Sequence, residues 1–378
     1  MKVRIDKAAL MVPLYRAYNA ADQQTDATRV TTCVHLSAAD DTLSLSATDY
    51  EITAVAEVSA DVIDGGAALV SAKGLFQIVR AMPDGATITL STDGSHRLRV
   101  EAGRSYYHLN GLAPEEYPAH ALEAAAGKVL VTDKLHIDAM LKRTLFSVST
   151  DDGRPAITGV LFEIEPEAAG HVRLRMVSTD GHRLSKCERL VAAPDYDGGR
   201  ASCIVHRRGA QELQRLIEGS DPSLRVEFVG RNLVFASDRT RLQVRQIEAN
   251  FPDYTKVIPE RGDVAVTLPK DTLAGAIRRV STLGGTRSDP LLRMEFEVGR
   301  LSLEMTFPDK GDAHEEFEID TWSGAPMRFG FNPKFLLDVC NVLPTDNITL
   351  EMRDQISPCL LHSDEEPGAT FVIMPMRL

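Results

Sequence analysis

Three arginines, Arg16, Arg143 and Arg279, each stand six residues after the first apolar anchor of an amphipathic run, those anchors being Leu10, Ile137 and Leu273. Arginine keeps its charge and presents a fork of N–H donors that matches phosphate or carboxylate oxygens, so its recurrence at fixed spacing suggests anion recognition. A second set of runs carries Lys73, Arg208 and Lys334 at one matched position. Arg80 and Arg215 hold another, where the third copy has Asn341. On a 3.6-residue period these positions fall away from the apolar stripe, so one side of each run packs while the other presents cations. Lys142, Arg207 and Arg278 adjoin them. A phosphate backbone bound without base specificity suits such a series, because phosphate contacts position a protein and carry no sequence information.

Catalytic chemistry is harder to find. His182 and Asp180 within TDGHR could form an acid–base pair, but Thr-Asp recurs without histidine at Thr48-Asp49-Tyr50, which points to turn building. Asp151 and Asp152 are adjacent in a loop-like stretch and lack a partner set for two-metal work. There is no P-loop, HExxH or GxSxG. The five cysteines are scattered with no CxxC pair, which argues against zinc and against a disulfide framework. The reading is of a non-enzyme with no metal and no cofactor.

The elements that position the cations repeat three times. Val205 to Tyr254 reads as a helix, three alternating runs (LRVEF, NLVFAS, LQVRQI) and a closing Phe-Pro-Asp-Tyr turn. Upstream, SAKGLFQIVR leads through ATITL, RLRVE and SYYHLNGL to Glu116-Tyr117-Pro118; downstream, Asn332 to Val342 leads through NITLEM, PCLLHS and ATFVIM. Each repeat also opens on a helix, at Asp6–Tyr18, Asp133–Phe146 and Pro269–Leu283. Their apolar sets superpose: Leu10, Pro13, Leu14, Ala17; Ile137, Met140, Leu141, Thr144; Leu273, Ala276, Ile277, Val280. Pro13 is expected to kink the first. Strands follow at Thr42–Val58, Val160–Leu190 and Leu292–Ile319. The fold class is therefore α+β in three repeated domains, 1–125, 126–260 and 261–378, with joins in EAAAGK (Ala124 to Lys128) and PERGD (Pro259 to Asp263).

Charge divides along the same lines. The chain carries −12 overall, yet the six candidate helices (6–18, 71–81, 133–146, 206–218, 269–283, 332–342) hold fourteen Lys/Arg against seven acids, +7, leaving −19 on the remainder. A length of 378 residues, 43% apolar and 25% charged, suits several soluble domains. No apolar run reaches the roughly 18–20 residues that span a bilayer, and the N-terminus lacks a signal peptide's apolar block, so a cytoplasmic protein is expected.

Across its whole length the chain resembles the beta subunit of bacterial DNA polymerase III, the sliding clamp family. The matching segments are TLSLSATD (Thr42–Asp49), TDGHRL (Thr179–Leu184), NFPDYTKVIP (Asn250–Pro259), FGFNPKFLLDV (Phe329–Val339) and MPMRL (Met374–Leu378). The resemblance implies clamp domains, each of two helices on antiparallel sheets, and a head-to-tail homodimer that closes a six-domain ring around duplex DNA with helices lining the hole. It implies a processivity role, with the DNA polymerase III alpha subunit, the clamp loader complex, other polymerases and repair proteins as partners.

By the same resemblance, a pocket for the partners' apolar peptide would comprise Ile157, Thr179, Gly181, His182, Arg183, Leu184, Pro252, Lys256, Val257, Ile356, Val372, Ile373, Met374, Pro375, Met376 and Arg377. Met376 to Leu378 would turn towards Thr179–Leu184. Lys256 replaces the family's usual Arg, and Pro358 a small polar residue. A dimer contact would set Arg104, Tyr107 and Leu109 against Leu283, Asp312, Glu315, Glu316 and Glu318 of another copy, and Arg29 and Arg154 would join the helix cations on DNA. The loop Asn19–Arg29 lacks the family's proline-containing basic turn. The alternatives are a nuclease, marked by metal-dependent plasmid cleavage, and a DNA-binding protein that forms no ring, which would not favour circular over linear DNA.

Overall fold

The computed structural model describes residues 1–23, 29–118, 129–218, 222–260, 264–284, 290–320, 322 and 324–378. The expected join at Ala124–Lys128, positions 261–263 of the second join and positions 24–28 of the Asn19–Arg29 loop lie outside them. Two compact units result. One holds Met1–Asp138, Glu165–Val172 and Val191–Ile247; the other holds Ala139–Ile164, Arg173–Leu190 and Glu248–Leu378, so the central repeat contributes to both.

Among the described residues the helices are α1 (Lys7–Ala20), α2 (Ala72–Ala81), α3 (Lys134–Thr144), α4 (Arg207–Ile217), α5 (Lys270–Val280) and α6 (Pro333–Val342). Each matches a predicted run, because the i, i+3, i+4, i+7 apolar set had to be buried: every anchor named above for α1, α3 and α5 is buried. Caps fix several starts. Ser71 Oγ accepts from Gly74 N–H at 3.1 Å, and Asn332 Oδ1 accepts from Lys334 N–H at 3.0 Å with Pro333 as the first helical residue. Helix α1 continues through Pro13, which is buried among Leu10, Leu14 and Ala17. Packing of that face outweighs the hydrogen bond that proline cannot donate.

In the first unit α1, α2 and α4 accompany a 13-stranded sheet in the order Val129–Asp133, Ser223–Val229, Asn232–Ser237, Thr240–Arg245, Ile52–Ser59, Thr42–Thr48, Cys33–Ala39, Gly66–Ser71, Ser105–Leu112, Arg97–Ala102, Thr87–Thr92, Lys2–Asp6, Asp61–Asp64. The first and central repeats therefore share one ladder, antiparallel from Thr240 opposite Ala56 to Val244 opposite Ile52.

The second unit repeats the arrangement. Strand Arg183–Ala192 pairs with Ala369–Ile373, from Arg183 opposite Ile373 to Cys187 opposite Ala369, and the sheet continues through Cys359–His362 and Asn347–Met352 to Val264–Pro269. A four-stranded sheet runs Gly311–Glu318, Arg300–Phe307, Leu292–Glu297, Met327–Phe331, with Gly311–Glu318 at its edge. Phe296, Phe329 and Phe331 from two of its strands pack with Trp322, stacked or edge-to-face, at the centre of this unit's core. All five cysteines are free and buried.

Candidate functional site

The Thr179–Arg183 turn is built by its own side chains. Thr179 Oγ1 donates to the Arg183 carbonyl (2.7 Å) and accepts from Gly181 N–H (3.1 Å), while Asp180 Oδ1 accepts from the N–H groups of His182 (2.9 Å) and Arg183 (3.0 Å). Asp180 is thus spent on the backbone rather than on the His182 ring, and the turn-building role expected of Thr-Asp holds. Gly181 sits at φ +92°, and a Cβ there would lie 2.9 Å from Arg154 Nη1. The positive φ favours glycine, and any side chain there would have to push the Arg154 guanidinium aside.

Arg183 is 6% exposed, and its guanidinium is fully engaged. Nε donates to Asp180 Oδ2 (3.0 Å), Nη1 to Asp338 Oδ2 on α6 (2.6 Å) and Nη2 to the Phe146 carbonyl (2.7 Å), between the rings of Phe146 and Phe335. What remains to face outward is its stem.

Beside this turn opens a cleft of about 500 Å³. Ile157, Thr179, Gly181, His182, Arg183, Leu184, Pro252, Val257, Val372 and Met374, all named from the sequence, line it together with Arg154, Pro155, Ala156, Phe251 and Tyr254. The backbone closes one side, as Met374 N–H donates to the His182 carbonyl at 2.9 Å. Below it, Tyr254 donates its hydroxyl to Glu163 Oε2 (2.8 Å); burial and then Glu163 push its phenol up to about 12, so it stays a donor. Arg175 pairs with Glu163 and Glu188 in the same layer. The FPDY turn that marked the repeat supplies Phe251 and Tyr254, a signal that could have placed them here.

Six of the expected pocket residues do not line the cleft. Ile373 alternates with Val372 and points into the core; Ile356 is 79% exposed; Lys256 pairs with Asp253 at 3.0 Å. Pro375, Met376 and Arg377 leave the turn, because Met376 N–H donates to the Gly330 carbonyl at 2.7 Å and ties the tail to strand Met327–Phe331. The expected path of Met376–Leu378 towards Thr179–Leu184 is therefore corrected. Arg154, expected on DNA, instead donates to Asp151 (2.9 Å) and the Asp180 carbonyl (3.0 Å) at the cleft wall.

The helix cations fall into two groups. Lys73, Arg80, Lys142, Arg278 and Lys334 are exposed, as is Arg29, while Arg207 is half-buried. Arg278 donates to Asn341 (2.8 Å), and Lys334 lies 3.7 Å from Asp338. Of the others, Arg16, Arg143, Arg208 and Arg215 are engaged inward, and Arg279 is exposed but paired. Arg16 donates to Thr240 Oγ1; Arg143, 6% exposed, donates to Glu366 (3.2 Å); Arg208 holds Asp49 and the Asn19 carbonyl (2.8 Å); Arg215 holds Glu212. Arg279 donates to Glu315 from Nε at 2.9 Å. The expectation that Arg16, Arg143 and Arg208 display free cations fails for a geometric reason. Their positions lie on the flank of the apolar stripe, where a long side chain reaches the next hairpin or turn instead of solvent.

Of the expected dimer residues, Arg104, Tyr107, Leu283, Asp312, Glu316 and Glu318 are exposed, whereas Leu109 and Glu315 are half-buried. Among the described residues no group of three His, Cys, Asp or Glu is placed to hold a metal ion.

Models of the DNA polymerase III beta subunit match throughout: the N-terminal domain over 1–122, the central domain over 132–253 and the C-terminal domain over 255–377. The beta sliding clamp of Caulobacter vibrioides is 32% identical over 379 residues and 100% of each chain; that of Escherichia coli K12 is 32% identical over 347 residues and 91% of each. A solved C. crescentus beta sliding clamp with polyethylene glycol bound aligns at TM-score 0.92 and 31% identity, covering 100% of this chain and 99% of that one. A sliding clamp from Bartonella birtlesii bound to griselimycin aligns at 0.92 and 26%, covering 100% of both. With three clamp domains in order and a clamp fold from end to end, the chain belongs to the DNA polymerase III beta subunit family, the beta sliding clamps.

Proposed function

We propose that the cleft beside the Thr179–Arg183 turn is where this non-catalytic processivity factor receives a short apolar peptide from the proteins it tethers. The observation that carries this reading is the cleft's chemistry: aliphatic walls from Ile157, Leu184, Val257 and Val372, with the adaptable Met374 at the mouth. One surface that can reshape around leucine or phenylalanine suits many ligands, here the DNA polymerase III alpha subunit, the clamp loader complex, other polymerases and repair proteins. Lys256, Ile356, Pro375, Met376 and Arg377 would meet the residues flanking the anchor. Val257 is 42% exposed, so Val257→Glu sets a charge at the mouth without disturbing the core. Anisotropy with a labelled apolar peptide should then show affinity lost and the melting temperature kept. Wild-type affinity in this variant would move the site elsewhere.

The ring follows from repetition. Within the chain, strand Thr240–Arg245 joins Ile52–Ser59, and Ala369–Ile373 joins Arg183–Ala192. The corresponding strands for a third join are Ser105–Leu112 and Gly311–Glu318, which two head-to-tail copies would bring together. Arg104, Tyr107 and Leu109 would face Leu283, Asp312, Glu315, Glu316 and Glu318. Duplex DNA inside would be held by the exposed cations Lys73, Arg80, Lys142, Arg278 and Lys334, with domain joins near residues 125 and 260. Among the described residues no helix is long and apolar enough to cross a membrane, which suits a cytoplasmic role. Sedimentation across dilution should give a mass near twice 41.4 kDa. A stubborn monomer would overturn the ring.

A further inference from the structure

The two joins inside the chain share a register and a crossing arginine. Thr48 and Thr179 open equivalent turns; eight residues on, Ala56 lies opposite Thr240 and Cys187 opposite Ala369. Over each of these positions an opening-helix arginine reaches into the next repeat: Arg16 to the Thr240 hydroxyl, and Arg143 to Glu366 in the loop before Ala369.

The third repeat has the same frame. Its two-residue turn between Glu297 and Arg300 corresponds to that between Ala39 and Thr42, so Glu318, opposite Arg300, takes the position of Ser59, opposite Thr42. Counting back, Glu315 takes the position of Ala56. In the first repeat the hairpin from Ala102 to Ser105 matches that from Ser237 to Thr240, and the first turn residue has positive φ in both, Gly103 at +59° and Asp238 at +52°. Ser105 is thus the counterpart of Thr240, and it too carries a hydroxyl.

Resting on the ring reading, we propose that Arg279, held ready by Glu315, crosses the seam between two copies to the hydroxyl of the partner's Ser105, forming a clasp that sets how long the ring stays shut. Where the covalently joined seams have Ala56 or Cys187, this one has a carboxylate that already grips the arginine through Nε at 2.9 and 3.0 Å. Two separate chains must find each other, and a side chain fixed beforehand loses less freedom on contact. The neighbouring turn adds a charge pair by the same correspondence. Arg239 donates to Ser59 Oγ at 2.8 Å, and its counterpart Arg104 would meet Glu318 of the other copy.

The experiment is subunit exchange between two fluorescently labelled pools of the full-length chain. Ser105→Ala and Arg279→Ala should each speed exchange by about 3- to 10-fold, and the double variant should be no faster than the faster single variant, since both remove one bond. Glu315→Gln should speed exchange in the wild-type background and have no effect once Arg279 is alanine. Multiplicative effects of the two alanine changes, or unchanged exchange in Arg279→Ala, would overturn the clasp while leaving the ring. If the unmodified chain sediments as a monomer, the ring fails and the clasp with it. A role for Arg279 on DNA alone would alter DNA retention in a way that Ser105→Ala does not reproduce. Both side chains are exposed, so the variants should fold; an unchanged melting temperature confirms it.

Discussion

The turns Thr48–Ile52 and Thr179–Arg183 start from one frame and end in different work. In the first, Thr48 Oγ1 donates to the Ile52 carbonyl (3.1 Å) and accepts from Tyr50 N–H (3.0 Å), while Asp49 Oδ1 accepts from Glu51 and Ile52 N–H, bond for bond as in the second. The third turn residue has positive φ in both, but it is Tyr50 (+71°) in one and Gly181 (+92°) in the other. Asp49 takes its cation from a helix, Arg208 on α4; Asp180 takes it from within the turn, and Arg183 reaches on to a helix carboxylate, Asp338. The direction of charge donation between turn and helix is therefore reversed. Arg208 closes over the first turn, whereas the second sends its cation inward and leaves an outer face of glycine and backbone beside the cleft. On the peptide-site proposal, a structural joint becomes a binding site by changing which partner brings the charge and removing one side chain.

The largest test of that contrast is Arg183→Ala. Its loss leaves Asp180 without its cation and Asp338 with only the more distant Lys334 in a mostly buried place, and should cost about 3 kcal/mol in urea unfolding, together with peptide binding. Arg208→Ala should cost less, about 1–2 kcal/mol, because one carboxylate rather than two loses its cation: Asp49 is only 11% exposed, but Arg208 itself is 35% exposed and more easily replaced by water. Equal losses would mean that the two joints are built alike.

Next comes an exchange of the third turn residue. Gly181→Tyr should weaken peptide binding by more than about tenfold, because its ring would fill the cleft that Gly181 lines, with a backbone strain of roughly 1–2 kcal/mol in addition. Tyr50→Gly should leave peptide affinity unaltered. Anisotropy and a thermal melt on both variants would show whether the bare turn matters.

The smallest effect is expected from the surface cations. Lys73→Glu or Lys334→Glu should leave folding intact, weaken DNA binding alike for every sequence and lower the salt slope by about 0.9 for each phosphate no longer neutralised. Arg143→Glu should instead destabilise the fold, since it would face Glu366 from a buried position. A soluble, stable Arg143→Glu with impaired DNA binding would put Arg143 back among the residues that hold DNA.

These contrasts mark what the sequence could reveal. The helices were legible because a helix of 3.6-residue period must bury a matching stripe, and the strands because alternation does the same at period two. The cleft was legible largely through family resemblance; composition alone does not separate it from an ordinary domain joint. What stayed hidden depends on distant segments meeting. From the sequence Arg143 reads as exposed, but the loop carrying Glu366 lies against it; Met376 reads as free to turn back, but its N–H is bound to Gly330; and Arg154 reads as an unengaged cation, but its donors go to Asp151 and the Asp180 carbonyl. Glu366, Gly330 and Asp180 all lie far along the chain from the residues they engage, and no periodicity reports them.

The ladder between Ile52–Ser59 and Thr240–Arg245 has a consequence for how such a chain can be cut or recombined. A fragment ending after the first repeat would keep Ile52–Ser59 but lose its neighbour, leaving a row of unpaired N–H and carbonyl groups as a template for aggregation. The boundary written in the sequence is thus a poor place to divide the protein. A cut after the second repeat would strip Arg183–Ala192 of Ala369–Ile373 in the same way, so the three repeats are best expressed and transplanted as one piece.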